Sequence, residues 1–114
     1  MTQRHSSDRP GRVYRVDKFV VPSRAREEFL SRVRDTHKLL RAQPGFLQDF
    51  LLEEPAGPDH FSLVTVVEWD GPGSVERAKA AVTAMHKERG FNPRETMERL
   101  GIRAEIGNYK RVDN

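Results

Sequence analysis

The chain contains no cysteine. That excludes disulfides, a thiolate nucleophile and cysteine-ligated metal. No apolar run comes near the roughly 18 residues that a membrane span requires, so no membrane partner is expected. The first twelve residues carry charge with no hydrophobic segment behind it, unlike a secretory signal. A cytoplasmic protein is the expectation. The four histidines show no ligand spacing such as HExxH, so no metal is expected. There is no glycine-rich phosphate loop and no GxSxG, which argues against a nucleotide site or a covalent-nucleophile enzyme. Internal repeats and low-complexity segments are missing too.

The charge present is mixed. The formal net charge is +3. Arg4, Arg9, Arg12 and Asp8 put 3 − 1 = +2 of it into residues 1–12, which leaves 3 − 2 = +1 for residues 13–114. A nucleic-acid binder carries a basic stripe on the fold itself, interleaved with aromatics. This chain does not, so no nucleic-acid partner is expected. At 114 residues it is one domain, able to bury roughly two-thirds of its unfolded surface.

Residues 1–11 are polar, with Ser6, Ser7, Pro10 and Gly11, and read as a disordered tail. The domain is residues 12–114. Arg12–Val21 alternates as a first strand that Pro22 ends. Asp17 shares a face with Val13, Arg15, Phe19 and Val21. Ser23 is a plausible N-cap for a helix running to about Ala42, with Glu27 and Glu28 in its first turns. The helix stripe is Phe29, Leu30, Val33, His37 and Leu40. Pro44-Gly45 is a turn. Phe46–Glu53 is the second strand. Its parity puts Phe46, Gln48, Phe50 and Leu52 on one face, and Leu47, Asp49, Leu51 and Glu53 on the other. Residues 54–59 make a hairpin loop.

Phe61–Trp69 organises the rest. It is apolar on both faces, with Phe61, Leu63, Val67 and Trp69 on one and Val64 and Val66 on the other. Such a strand is central and covered on both sides. A second helix spans about Ser74–Arg89, burying Val75, Ala78, Val82 and Met85, and Gly90 follows as its C′ residue. Asn92-Pro93-Arg94-Glu95 starts a short helix that ends at Gly101. Residues 102–112 form the last strand, with Gly107 a bulge or a close approach. The order is the split βαβ pattern, a ferredoxin-like α+β sandwich. Its four-stranded antiparallel sheet carries helices on one face only. The bare apolar face calls for a second copy of the chain.

The ordered set resembles the antibiotic biosynthesis monooxygenase family of the dimeric α+β barrel superfamily. The features that carry the likeness are the Val-Pro exit of the first strand, Glu27-Glu28-Phe29, the Pro44-Gly45-Phe46 turn, the strand ending in Trp69, and the short helix before the closing strand. The likeness covers about residues 12–112. It implies a homodimeric α+β barrel with a cleft between helices and sheet in each subunit. It also implies a cofactor-independent monooxygenase acting with O₂ on a small aromatic or phenolic substrate, polyketide- or quinol-like. A non-catalytic small-ligand binder of the same fold is the alternative. A haem-binding or haem-degrading relative is a third reading.

His37 and Asp17 are the catalytic candidates. His37 sits on the apolar stripe, and an unperturbed histidine, with a pKa of about 6.5, suits proton transfer near neutrality. A hydrogen-bonded core histidine is the plainer alternative. Asp17 lies mid-strand, where haem-degrading relatives resemble one another in having asparagine. It is either a base or an ion-pair partner of Arg15 or of an arginine on a neighbouring strand. Trp69 matches a family tryptophan and either closes the core or walls the cleft. Thr65, Phe29, Val82 and His86 complete the substrate-binding candidates. His86 resembles the axial histidine of the haem-degrading branch, but Glu76 and Arg77 stand where that branch has a tryptophan. No cofactor is expected. His60, beside a loop, is expected to be exposed.

Overall fold

A computed structural model describes residues 11–112; the tail over residues 1–10 lies outside the described residues. The elements run β1 (Val13–Pro22), a 3-10 turn (Ser23–Ala25), α1 (Arg26–Arg41), β2 (Phe46–Pro55), β3 (His60–Trp69), α2 (Pro72–Glu88), α3 (Pro93–Leu100) and β4 (Arg103–Tyr109). The sheet order is β2-β3-β1-β4, and the pairs β1–β3, β1–β4 and β2–β3 are all antiparallel. This is the ferredoxin-like arrangement, with β3 central.

The alternation of β1 and β3 decides the two faces. Val13, Val21, Phe61, Leu63, Thr65, Val67 and Trp69 are buried on the side that carries the helices. Burying a Val, Leu or Phe side chain is worth about 1.5–3 kcal/mol each, so this face drives folding. The opposite face runs in cross-strand rows. Phe50, Val66, Val16 and Gly107 form one row, and Leu52, Val64, Lys18 and Glu105 the next. Phe50 is 49% exposed and Leu52 54%. Uncovered aromatic and aliphatic side chains of this size mark an unpartnered surface.

One row of that bare face is polar. Glu68 is only 3% exposed. It accepts from Arg12 Nη1 at 2.6 Å, from Tyr14 Oη at 3.2 Å and from Gln48 Nε2 at 2.7 Å. Burial pushes its carboxyl up, but the hydrogen bonds from Gln48, Arg12 and Tyr14 outweigh this and hold it below the ordinary value.

Two local expectations change, and a third, the bulge or close approach at Gly107, is decided. The register of β2 slips between Phe46 and Gln48. This bulge leaves Leu47 as the extra residue and turns Phe46 to the helix side, away from Phe50 and Leu52. Phe46 there packs edge-on against Trp69, with ring centroids 5.8 Å apart at 85°. Ser23 is not the cap of α1. It opens the 3-10 turn, and the α-helix begins at Arg26 with no side-chain cap at Ala25. Gly107 pairs with Val16 with no register shift in the β1–β4 ladder, so it is a close approach and not a bulge. A Cβ there would lie 2.9 Å from the Tyr109 ring. Elsewhere the capping expectations match: Asn92 Oδ1 accepts from Glu95 N at 3.1 Å, Pro93 opens α3, and Gly90 has φ 64°.

Candidate functional site

The helix side holds two apolar clusters. One joins Phe29, Leu30 and Val33 of α1 to Val21, Phe61 and Leu63, with Met97 and Leu100 of α3 against it. The other joins Trp69, Val13 and Val67 to Val75 and Ala78 of α2. Between them the sheet presents Arg15, Asp17 and Thr65, too polar to close the seam. A cleft opens there in two adjoining lobes. One, of about 280 Å³, lies towards Phe29, Phe91 and Met97. The other, of about 330 Å³, lies towards Leu40, Trp69 and Ala78. Asp17, His37, Thr65, Val82 and His86 border both lobes, Phe29 borders only the first and Trp69 only the second. Ion pairing of Arg99 to Glu28 at 2.6 Å ties α3 to α1 at the first lobe's end.

His37 is 4% exposed. The stripe of α1 carries it onto the sheet, where its Nδ1 lies 2.9 Å from Asp49 Oδ2. Asp49 is helix-facing on β2, two residues beyond the bulge. Arg41, one turn on from His37, donates from Nε to both carboxyl oxygens of Asp49, at 3.3 and 3.1 Å. Burial raises the Asp49 carboxyl, and the hydrogen bonds of His37 and Arg41 with the charge of Arg41 more than offset that, leaving it below the ordinary value.

Asp17 pairs with Thr65 across the ladder and accepts from Arg15 Nε at 2.8 Å. Both members of that ion pair are about one-quarter exposed and border the cleft. Trp69 is 2% exposed and belongs to the second cluster, its indole forming part of the deeper wall. His86 packs edge-on against Phe91, centroids 5.0 Å apart. Burial lowers its pKa first, and the charges of Arg32 and Arg89 lower it further, which favours the neutral ring. Arg32 lies over the other ring in that group, 4.1 Å from the Phe91 centroid. His60 is exposed at the start of β3. Among the described residues no three His, Cys, Asp or Glu side chains are gathered to hold a metal. Also among them, no helix is long and apolar enough to cross a membrane.

Sequence reasoning missed Asp49, Arg32, Phe91 and Met97. The signal for Asp49 was weak: a buried histidine needs a hydrogen-bonding partner, and Asp49 was one of two acids, with Glu53, on the same face of the strand after α1. Phe91 and Arg32 meet only through tertiary packing.

Fold and cleft together define a ferredoxin-like α+β domain with a ligand-sized space between one sheet face and its helices. The model of the antibiotic biosynthesis monooxygenase family matches residues 12–71, just over half the chain, and the chain belongs to that family. Among solved structures it is similar to SnoaB, a cofactor-independent oxygenase from Streptomyces nogalater, at 27% identity, covering 91% of this chain and 96% of that one with a TM-score of 0.65. A conserved protein from Methanosarcina mazei matches at 18% identity, with 89% and 93% covered and a TM-score of 0.66. The haem degrader MhuD from Mycobacterium tuberculosis matches at 21% identity, with 90% and 97% covered and a TM-score of 0.62. The last two show the fold alone. No curated protein sequence matches the chain.

Proposed function

We propose that the protein is a cofactor-independent monooxygenase that oxidises a small hydroxylated aromatic substrate with O₂. The observation that carries this reading is the seam itself. A buried histidine, backed by a carboxylate, borders an apolar-walled cleft of the size small-molecule sites have. The likeness to SnoaB supports the reaction class.

His37 takes a proton from the acidic C–H or O–H of the bound substrate. The resulting anion is electron-rich enough to reduce O₂. One oxygen atom forms a bond to the substrate carbon; the O–O bond then breaks, and the second atom leaves as water with the two hydrogens the substrate gave up. A ring methylene so becomes a carbonyl, a four-electron oxidation matched by the four-electron reduction of O₂. The protein supplies the base, a dry pocket and an orientation, and the substrate supplies every electron. Asp17, already engaged by Arg15, and Thr65 sit on the sheet floor to orient the substrate oxygens. Trp69, Phe29, Val82 and the neutral His86 supply walls and edges.

A second copy of the chain covers the bare sheet face, closing the two sheets into a barrel. The exposed Phe50 and Leu52, in adjacent rows of that face, support that pairing.

The test is turnover of a dihydroxyanthrone by wild type, His37→Ala and Asp17→Asn, with substrate binding measured anaerobically. His37→Ala should slow oxidation by on the order of 10²-fold or more, with a much smaller change in affinity, because the proton moves in the transition state. Unchanged turnover in both variants would remove both residues from the mechanism. Failure of any aromatic candidate to bind would favour a non-catalytic role.

A further inference from the structure

His37 and Asp49 come from different elements, and their contact fixes more than a position. The Asp49 carboxyl lies below the ordinary carboxylate range, so near neutrality it is ionised and can only accept. The hydrogen on the 2.9 Å contact therefore sits on His37 Nδ1. In the neutral form of the ring, the lone pair is then on the other nitrogen, Nε2. Among the described residues no hydrogen bond to Nε2 occurs, and the ring borders both lobes of the cleft. Arg41 holds the same carboxylate in place: its Nε–H donates to Oδ2, the oxygen that His37 contacts, at 3.1 Å and to Oδ1 at 3.3 Å.

We infer that Asp49 is the positioning residue that makes His37 Nε2 the basic atom of the cleft, and that acidic phenols bind there as their anions. The inference rests on the oxygenase reading only for the phenolic nature of the ligand. The proton passes from the phenol O–H to Nε2. The imidazolium so formed donates from Nδ1 to Asp49 and from Nε2 to the phenolate. The positive charge thus lies between two negative ones, in a site only partly open to water, where such pairing is stronger than in solution. Asp49 touches no ligand atom in this scheme and acts through the ring it orients.

Asp49→Asn is a weak probe, because its amide oxygen has two lone pairs and can take both donors that now meet at Oδ2. Asp49→Leu removes acceptor and charge together. Nothing then holds the hydrogen on Nδ1, and the imidazolium loses its counter-charge. Asp49→Glu keeps a carboxylate, so it should keep the wild-type tautomer.

The experiment has two readouts on full-length protein, neither needing turnover. Nitrogen-resolved NMR of the His37 ring followed over pH reports its protonation and, for the neutral ring, its tautomer directly. Anaerobic absorbance of bound para-nitrophenol, measured below that phenol's own pKa, reports the ionised fraction through the yellow anion. Wild type should show the Nδ1–H tautomer and an anion-to-phenol ratio at least about tenfold above that of the free phenol, a modest shift for a nearby cation. Asp49→Leu should lose both the Nδ1–H tautomer and the enrichment. Asp49→Glu should retain the tautomer. An Nε2–H tautomer in wild type overturns the inference even if Asp49→Leu does not fold. So does an Asp49→Leu protein that still enriches the anion, and so does para-nitrophenol that binds wild type un-ionised or not at all. If the tautomer and the anion enrichment hold while no aromatic substrate consumes O₂, the oxygenase reading fails and this one stands.

Discussion

Gly45→Ala should be among the most destabilising single-methyl additions in this chain. Gly45 has φ +88°, a left-handed conformation that costs an L-residue roughly 1–2 kcal/mol. It also lies against buried Ser74. An added Cβ would overlap Ser74 Oγ, sit 2.5 Å from Ser74 Cβ and 2.6 Å from Asp70 Oδ1. None of these atoms can retreat. Ser74 Oγ donates to Asp70 and accepts from Arg77 at 3.1 Å, while Asp70 N donates to Gly45 O at 2.9 Å. Overpacking of this kind costs about 1–3 kcal/mol. The two effects together predict about 2–5 kcal/mol, which at about 4 °C per kcal/mol is a Tm fall of roughly 8–20 °C. Gly57→Ala is the control. Gly57 has φ +97° and nothing within 4 Å of the added carbon, so it should cost only the conformational part. Denaturant unfolding of wild type and both variants at one protein concentration measures the difference. Equal losses for Gly45→Ala and Gly57→Ala would refute the argument that the turn into β2 is locked by contact with the start of α2. The turn matters to function because it delivers Phe46 onto Trp69, and with it the deeper wall of the cleft.

Other outcomes follow from the same geometry. Sedimentation should find a homodimer, with an obligate interface of more than about 2,000 Å² in total, and Phe50→Glu with Leu52→Lys should dissociate it; a stable folded wild-type monomer at micromolar concentration would contradict the covered sheet face. Titration with haem should give no one-to-one Soret band, because His86 is engaged with Phe91 beside two arginines; a stoichiometric band lost in His86→Ala would contradict that. Acid should destabilise the fold through Glu68 and Asp49. Both carboxyls lie below their usual 4.5 and 3.8, so their contribution is complete above the unfolded values and is lost as pH falls through the depressed folded ones. Unfolding midpoints measured from pH 7 downwards should therefore drop below about pH 4, and Glu68→Gln should flatten that slope; an identical acid limb in Glu68→Gln would count against the network around Arg12, Tyr14 and Gln48.

The fold was legible because two periodicities were strong. The two-sided apolar alternation of Phe61–Trp69 marks β3 as central, and the spacing from Phe29 to Leu40 marks the buried stripe of α1. Features set by backbone hydrogen bonding left no such trace. The bulge that turns Phe46 inward carries no glycine, so simple parity misplaces Phe46 and gives the unpaired Leu47 a helix-facing place that the ladder does not show. The 3-10 turn at Ser23 looks in sequence like a helix cap, because Pro22-Ser23 suits both. Legibility of the site was uneven for a related reason. His37 stands out as the single polar residue on an apolar stripe and Asp17 as the one acid on its strand face, whereas Asp49 is one acid in an acidic strand. Its meaning comes from a partner twelve residues away on another element, a separation no local pattern encodes. The polar row through Glu68 escaped for the same reason, since Arg12, just ahead of β1, and Gln48, on β2, reach it from distant parts of the chain.

The most direct test of the central claim is oxygen stoichiometry with a dihydroxyanthrone and protein treated with a metal chelator. The account predicts one O₂ consumed per quinone formed, one labelled oxygen atom in the new carbonyl, one in water, and a rate that survives chelation and falls on the order of 10²-fold in His37→Ala. Hydrogen peroxide accumulating in place of oxygen incorporation, or a rate unchanged in His37→Ala, would contradict it.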